Sequence, residues 1–390
     1  MNRVTLLFLA ACDSTSIGIH ADASVADTRA ATDGTSSSTC PIGSTLLADR
    51  TSCSGPVVAP PSSLSMGAAT PGTVVGLDGL DSDIVPCLAT YVCNPDGARA
   101  RTMLFSDDPE SPATDGVLYA DTFGPGAARV YVYHVNAGAS ARKFPVVVFN
   151  PSSTDAHVTI RKVGLATPST DYIEIGKIVA AAWMSSTLSR LVTVPAGARV
   201  LLDGDLDKEH AVTNELVHAI IDLDADAPLK FSVVSVAANE DAAAITAGLS
   251  LLPYDGAHDR GTFVGADVWL VASAGGEGPS ARKLPVGANT TEPDLAGRDA
   301  TTGAPATLTG NYGVAYRFLV TAPGPVRFGA NPRGGDWAGA VDNAASVVML
   351  PSTSGAVATT DLVWLANSGD FSMMSGGGSS LPTNVLVVTP

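Results

Sequence analysis

Basic residues are scarce in this chain. Twenty-two lysines and arginines, six of them lysines, stand against 38 aspartates and glutamates. Neutralising phosphates takes clustered cations; a net charge of −16 without a basic stripe therefore argues against nucleic acid as a partner. The same sign argues against electrostatic docking on anionic lipid. Cysteine is missing from the 297 residues after Cys93, so core packing alone must hold them. Charged residues make up only 15% of the chain, while glycine and proline number 39 and 26. That is a composition of many turns and few long helices, and Val, Thr and Ala in the apolar stretches favour strands.

The amino end reads as an address. "MNRVTLLFLAAC" carries Arg3, the apolar run Val4–Ala11 and then Cys12. The run is far below the ~20 residues of a membrane-crossing helix, as in a signal segment. "LAAC" resembles the bacterial lipoprotein box, which implies cleavage before Cys12 and acylation of its sulfur. Residues 1–12 are thus expected to be a lipoprotein signal, and 13–39, rich in Ser, Thr, Ala and Asp, a flexible tether. Residues 40–97 form a small Cys-bounded segment. With Cys12 lipidated, Cys40, Cys53, Cys87 and Cys93 remain, an even number expected to form two disulfides in an exported protein. Three pairings are open, and Cys40–Cys53 with Cys87–Cys93 is the sequence-local one. A zinc site lacks a C-x-x-C pair or a nearby His.

From about residue 98 the pattern is one of short strands bounded by turn residues, such as "RVYVYHV", "FPVVVFN", "LKFSVVSV", "DVWLVAS" and "NVLVVTP". The expected fold is all-β, two tandem β-sandwich-like domains over 98–254 and 255–390, divided where "PYDGAHDR" interrupts the series. One segment departs from it. Ile175, Val179, Ala182 and Trp183 recur at helical spacing after Ser169 or Thr170 as N-cap, predicting an inserted helix over 171–185 with Trp183 against the sheet. A weaker helix is expected over 240–249.

"SARKFPV" at 140–146 returns as "SARKLPV" at 280–286. A catalytic Ser-x-x-Lys needs a helical turn to bring Lys beside Ser, but here a Gly-bearing loop runs into a strand. The string marks architecture, either two domains sharing one hairpin solution or an old duplication. Other catalytic signatures are absent: no G-x-S-x-G, H-E-x-x-H, P-loop or strand-linked G-x-G-x-x-G. The six histidines are scattered. Asp203, Asp205 and Asp207 stand like the first three ligands of a calcium loop, but Lys208 and Asn214 occupy positions that need Gly and Glu. A structural calcium there is the only cofactor the sequence offers. "TGNYGVAYR" and "NPRGGDW" present Asn311, Tyr312, Arg333, Asp336 and Trp337 on Gly-rich loops, a set suited to a sugar ring. Trp269 and Trp364 fit the core.

The blocks "GLATPSTDYIEIGK", "HDRGTF", "TGNYGVAYR", "NPRGGDWAGA" and "SSLPTNVLVV" resemble secreted bacterial proteins of uncharacterised role often labelled copper amine oxidase N-terminal domain proteins. The resemblance spans residues 101–390 and implies an extracytoplasmic envelope protein. It brings no catalytic residues: a quinone-forming Tyr needs T-x-x-N-Y-D/E, and Leu308 and Gly313 flank Asn311-Tyr312 instead. The reading is a membrane-anchored lipoprotein, periplasmic or at the cell surface, acting as a non-catalytic binding, adhesive or envelope-structural module for a glycan or wall polymer. The alternative is an extracellular hydrolase of glycan or peptide that uses carboxylates the sequence does not pair.

Overall fold

The computed structural model describes residues 70–76, 90–92, 101–273, 280–288, 292, 294–322, 324–353 and 361–389. The signal, the tether and all five cysteines lie outside them. The body is mostly β, 51% strand and 9% helical. Strands β1 (Val74–Gly76) and β2 (Thr90–Val92) come first. Then follow β3 (Thr102–Ser106), β4 (Gly116–Phe123), β5 (Gly126–Val135), β6 (Arg142–Lys143), β7 (Val146–Phe149) and β8 (Ala156–Leu165). Helix α1 (Tyr172–Ser185) leads to β9 (Arg190–Val194), β10 (Arg199–Leu201), β11 (Leu216–Ala225), β12 (Leu229–Ala237) and the one-turn α2 (Ala242–Ile245). The second half opens with β13 (Arg260–Val264), β14 (Asp267–Ser273), β15 (Ser280–Val286), β16 (Leu295–Arg298), β17 (Pro305–Leu308) and β18 (Ala315–Thr321). It closes with β19 (Arg327–Pro332), β20 (Trp337–Asp342), β21 (Val347–Thr353), β22 (Asp361–Ala366), β23 (Asp370–Ser375) and β24 (Thr383–Thr389).

These strands make four sheets. One runs β17-β16-β13-β3-β5-β11-β8-β9 and faces another ordered β10-β7-β12-β4; the second half has β2-β14-β18-β23-β20-β21 facing β1-β22-β19-β24-β15. The halves are topologically alike. Replace β3, β4, β5, β7, β8, β9, β10, β11 and β12 by β14, β15, β18, β19, β20, β21, β22, β23 and β24, and every pairing is kept. Even the parallel pair β3 with β5 has its counterpart in β14 with β18. Without that extra first strand, each half is an eight-stranded double-sheet jelly roll. The repeated string does not mark this likeness. "SARKFPV" runs through β6 into β7, whereas "SARKLPV" is β15, whose counterpart is β4.

Strands from both sides of residue 255 share one sheet. β13 pairs with β3, and the β16–β17 hairpin extends the same sheet. Reciprocally, β1 pairs with β22 and β2 with β14, so two strands from the 40–97 segment complete the second half. The strand before each jelly roll thus closes the edge of the other one, and open sheet edges are a liability that such pairing removes.

Alternation along β5 and β11 explains how the halves meet. Ala128, Val130, Val132, Val217, Ala219, Ile221 and Leu223 point into the first sandwich core. Tyr131, Tyr133, Val135, Leu216 and Ile220 point the other way and join α1 and the second half in one larger core. Helix α1 starts at Asp171, whose carboxylate accepts from the Glu174 N–H. Asp171 is the cap rather than Ser169 or Thr170, and the Ser169 hydroxyl accepts from Asp171 N instead. The helix packs on β8 and β11 on one side and on β20 and β21 on the other. Close approach needs glycine on both: a Cβ on Gly164 would sit 2.3 Å from the Val179 carbonyl, and one on Gly176 1.9 Å from that of Gly377. Trp183 packs against the sheet as expected, 6% exposed. The weaker helix is only α2 and the 3-10 turn Thr246–Gly248.

Arg129 locks the junction. Fully buried, it spends all five guanidinium donors: on both oxygens of Asp222 (2.8 and 3.1 Å), on Asp267 (2.7 Å), and on the carbonyls of Ala266 (2.6 Å) and Gly313 (2.9 Å). The Trp183 ring lies 4.2 Å from its centre, and Arg101 adds a second cation to Asp267 at 2.9 Å.

Candidate functional site

A cleft of about 480 Å³ opens at the junction of the halves. The end of β3 supplies Phe105 and Asp107, and the connector before β13 supplies His258 and Asp259. The run into β16 supplies Asp294, the β17–β18 loop Thr309, Gly310 and Tyr312, and the approach to β24 Leu381 and Pro382. Two carboxylates are held by successive backbone amides: Thr309 N donates to Asp259 Oδ2 at 2.8 Å and Gly310 N to Asp294 Oδ1 at 3.0 Å. Gly310 sits at φ +78°, in the left-handed region open to glycine. Asp107 Oδ1 is buried without a hydrogen-bond partner.

Negative charge dominates. Burial, then Glu110, Asp255, Asp259 and Asp108, push the Asp107 carboxyl well above the ordinary range. Burial raises Asp259, and burial together with Asp259 raises Asp294, against the amides that pin them. Burial also takes Asp108 up to about 6 despite the Asp255 amide and Arg260. Below the loop, burial brings Glu292 to about 7, although it accepts from Gly287 N at 2.6 Å. His258 is clamped between Asp255 (Nδ1, 2.8 Å) and Glu110 (Nε2, 3.1 Å). Burial acts against its charged form, but the two carboxylates outweigh it and raise its pKa. Behind Phe105, Tyr131 stacks at 4.4 Å and His218 lies 4.7 Å beyond; burial lowers His218 to about 4.

Of the residues singled out from sequence, Tyr312 reaches this cleft, its hydroxyl donating to the Ser379 carbonyl at 2.7 Å. Asn311 is buried and braces the loop, its Oδ1 accepting from Leu295 N. Trp337 is no platform: fully buried at the start of β20, a strand buried at every position but its last, it donates its indole N–H to Ser375. Arg333 and Asp336 lie on the β19–β20 loop, whose Arg333 N–H ties back to Pro382 at the cleft wall. Trp364 is core, but Trp269 is half-buried and, with Lys162, Trp183 and Arg317, lines a smaller cavity of about 250 Å³ beside the Arg129 network. The proposed calcium ligands diverge: Asp203 pairs with Arg190, Asp205 with Lys208 and Asp207 with Lys143. Among the described residues, no three His, Cys, Asp or Glu side chains are placed to hold a metal ion. Nor is any helix among them long and apolar enough to cross a membrane.

Sequence reasoning missed Asp107, Asp259 and Asp294. The only local signals were the acidic turns "SDDPE" and "YDGAHD", and nothing in them says that residues some 150 positions apart share a wall.

No protein-family model and no curated protein matches this sequence. Among solved structures, the Lactobacillus farciminis oxalate decarboxylase formate complex aligns at 11% identity, covering 85% of this chain and 88% of that one with a TM-score of 0.16. A Bacillus subtilis oxalate decarboxylase aligns at 10% identity over 74% and 76%, with a TM-score of 0.14. Overlap that poor carries no argument about fold or chemistry.

Proposed function

We propose that the chain is a bacterial envelope lipoprotein, anchored through Cys12, that binds a glycan or wall polymer in the junction cleft. The lipoprotein-box residues, the polar tether and the resemblance to secreted envelope proteins support the location. One observation carries the binding role: Asp107, Asp259 and Asp294 share a single cleft with the Tyr312 ring. Carboxylates accept hydrogen bonds from hydroxyls, and an aromatic edge packs on a sugar face, which together make a small polar pocket selective for such a polymer. Cosedimentation with purified wall polysaccharides tests this. The intact protein should pellet and a Tyr312→Ala, Asp259→Asn variant should stay in solution; equal pelleting of the two removes the assignment.

Hydrolysis is a second reading, favoured by a carboxyl, Asp107, that burial and its acidic neighbours push above the ordinary range while other carboxylates stand in the same cleft. Glycoside hydrolysis requires such an acid and a partner carboxylate. Release of reducing ends from the bound polymer, abolished by Asp107→Asn, would select it over binding alone.

A further inference from the structure

Resting on the junction cleft as the ligand site, we infer that its ligand presents alkylammonium groups, carried by a wall polymer or by a free amine. The argument is one of uncompensated charge. Among the described residues, three carboxylates face the cleft, and neither lysine nor arginine lines it. The one basic group there, the His258 imidazole, is already held by Asp255 and Glu110. Arg260, two residues on, turns into the protein, where it meets Asp108 and Asp299. The amides of Thr309 and Gly310 satisfy one oxygen each of Asp259 and Asp294, and Asp107 Oδ1 has no donor at all. A buried acceptor without a donor is costly, and a ligand N–H fits that want.

The spacing decides between an ion and an organic cation. These acids do not converge as a metal cage does; they are spread around about 480 Å³, room for a chain that offers several N–H donors. A neutral sugar would leave the mutual repulsion in place, and an anionic polymer would add to it. An ammonium group relieves it and makes charge-assisted hydrogen bonds.

The site should also answer to pH. Asp107 faces Asp108 and Glu110 from its own loop, Asp255 and Asp259 from the connector, and Tyr131, Tyr133 and Tyr312 from the packed strands and loop, and His258 shares the cleft wall with it. An alkylammonium stays charged up to about pH 10, so a change in binding between pH 8 and 5 reports the protein's own groups: the carboxylates, which lose charge on acidification, and His258, which gains one. Because burial raises Asp107, Asp259 and Asp294, they take up protons at higher pH than ordinary carboxylates, and affinity should fall on mild acidification.

The test uses the intact protein with two probes, spermidine by calorimetry and peptidoglycan by pelleting, the latter before and after N-acetylation with acetic anhydride. The expected results are at least tenfold weaker binding at pH 5 than at pH 8, and at least tenfold loss in an Asp259→Asn, Asp294→Asn variant. Asp107→Asn, which keeps the side chain's shape but removes its ionisable oxygen, should bind less while melting no lower, so lost binding there is not unfolding. Pelleting abolished by acetylation supports a wall-borne amine; spermidine binding without pelleting supports a free one. Equal pelleting before and after acetylation, with no spermidine bound, overturns the ammonium inference and leaves the glycan reading standing. No binding to any probe overturns both.

Discussion

The two jelly rolls share every strand pairing and differ in what hangs between their strands. After its fourth jelly-roll strand, β8, the first half carries α1; the corresponding β20 runs into β21 through a four-residue turn, 343–346. Between β4 and β5 the first half has a tight turn, while between the matching β15 and β18 the second half inserts the β16–β17 hairpin. Both insertions go to the junction, one onto the sheets of the opposite half and the other into the sheet of its neighbour. The scaffolds stayed alike where strands pair and diverged where loops meet, and the cleft lies among those diverged pieces. Loops positioned by a rigid frame are where binding residues collect.

If the junction rather than either sandwich is the centre of stability, the largest effect belongs to Arg129. Arg129→Ala leaves the buried Asp222 with only Arg101, at 3.4 Å, for a cation and should cost about 3–5 kcal/mol in urea unfolding. A loss under about 1 kcal/mol would mean that the halves stand independently.

Titration sharpens the comparison next, because each half buries one group of opposite behaviour. Glu292, raised to about 7 in the fold, takes its proton before an unfolded carboxylate does. Stability is therefore greatest below about pH 4.5 for this group and declines as pH rises to 7, by about 3 kcal/mol. His218, lowered to about 4, works the other way: stability is intact above about 6.5 and declines as pH falls toward 4. Chemical denaturation across pH 4–8 should show the alkaline slope flattened in Glu292→Gln and the acid slope flattened in His218→Gln.

A smaller effect tests the helix as spacer. Gly176→Ala forces the 376–378 loop away from α1 and should cost about 1–3 kcal/mol, while leaving the first sandwich core untouched. Smallest of all is the exposed Asp205–Lys208 pair: Lys208→Ala should leave the melting temperature unchanged, and so should millimolar calcium.

How much of this was legible follows from what is local. Strand alternation and turn residues are local, so the all-β class could be read from the chain. So could α1, whose Ile175, Val179 and Trp183 spacing survives in the structure. The cap was misplaced because three consecutive residues, Ser169 to Asp171, all carry cap-forming oxygens and only geometry chooses among them. The cleft was not legible, since Asp107, Asp259, Asp294 and Tyr312 meet only after two sheets and a crossover are in place. Trp337 misled for the opposite reason: a Gly-rich loop beside it suggested exposure, but its place in β20 directs it to the core.

The exchanged edge strands also govern how load enters the molecule. A pull on the amino end arrives through β1 and β2, which are zipped onto β22 and β14 of the far half, rather than at the nearer sandwich. Tension from that side is taken first by short ladders of three residue pairs each, so the first elements to yield would be those two strands, with both eight-stranded sandwiches still packed behind them.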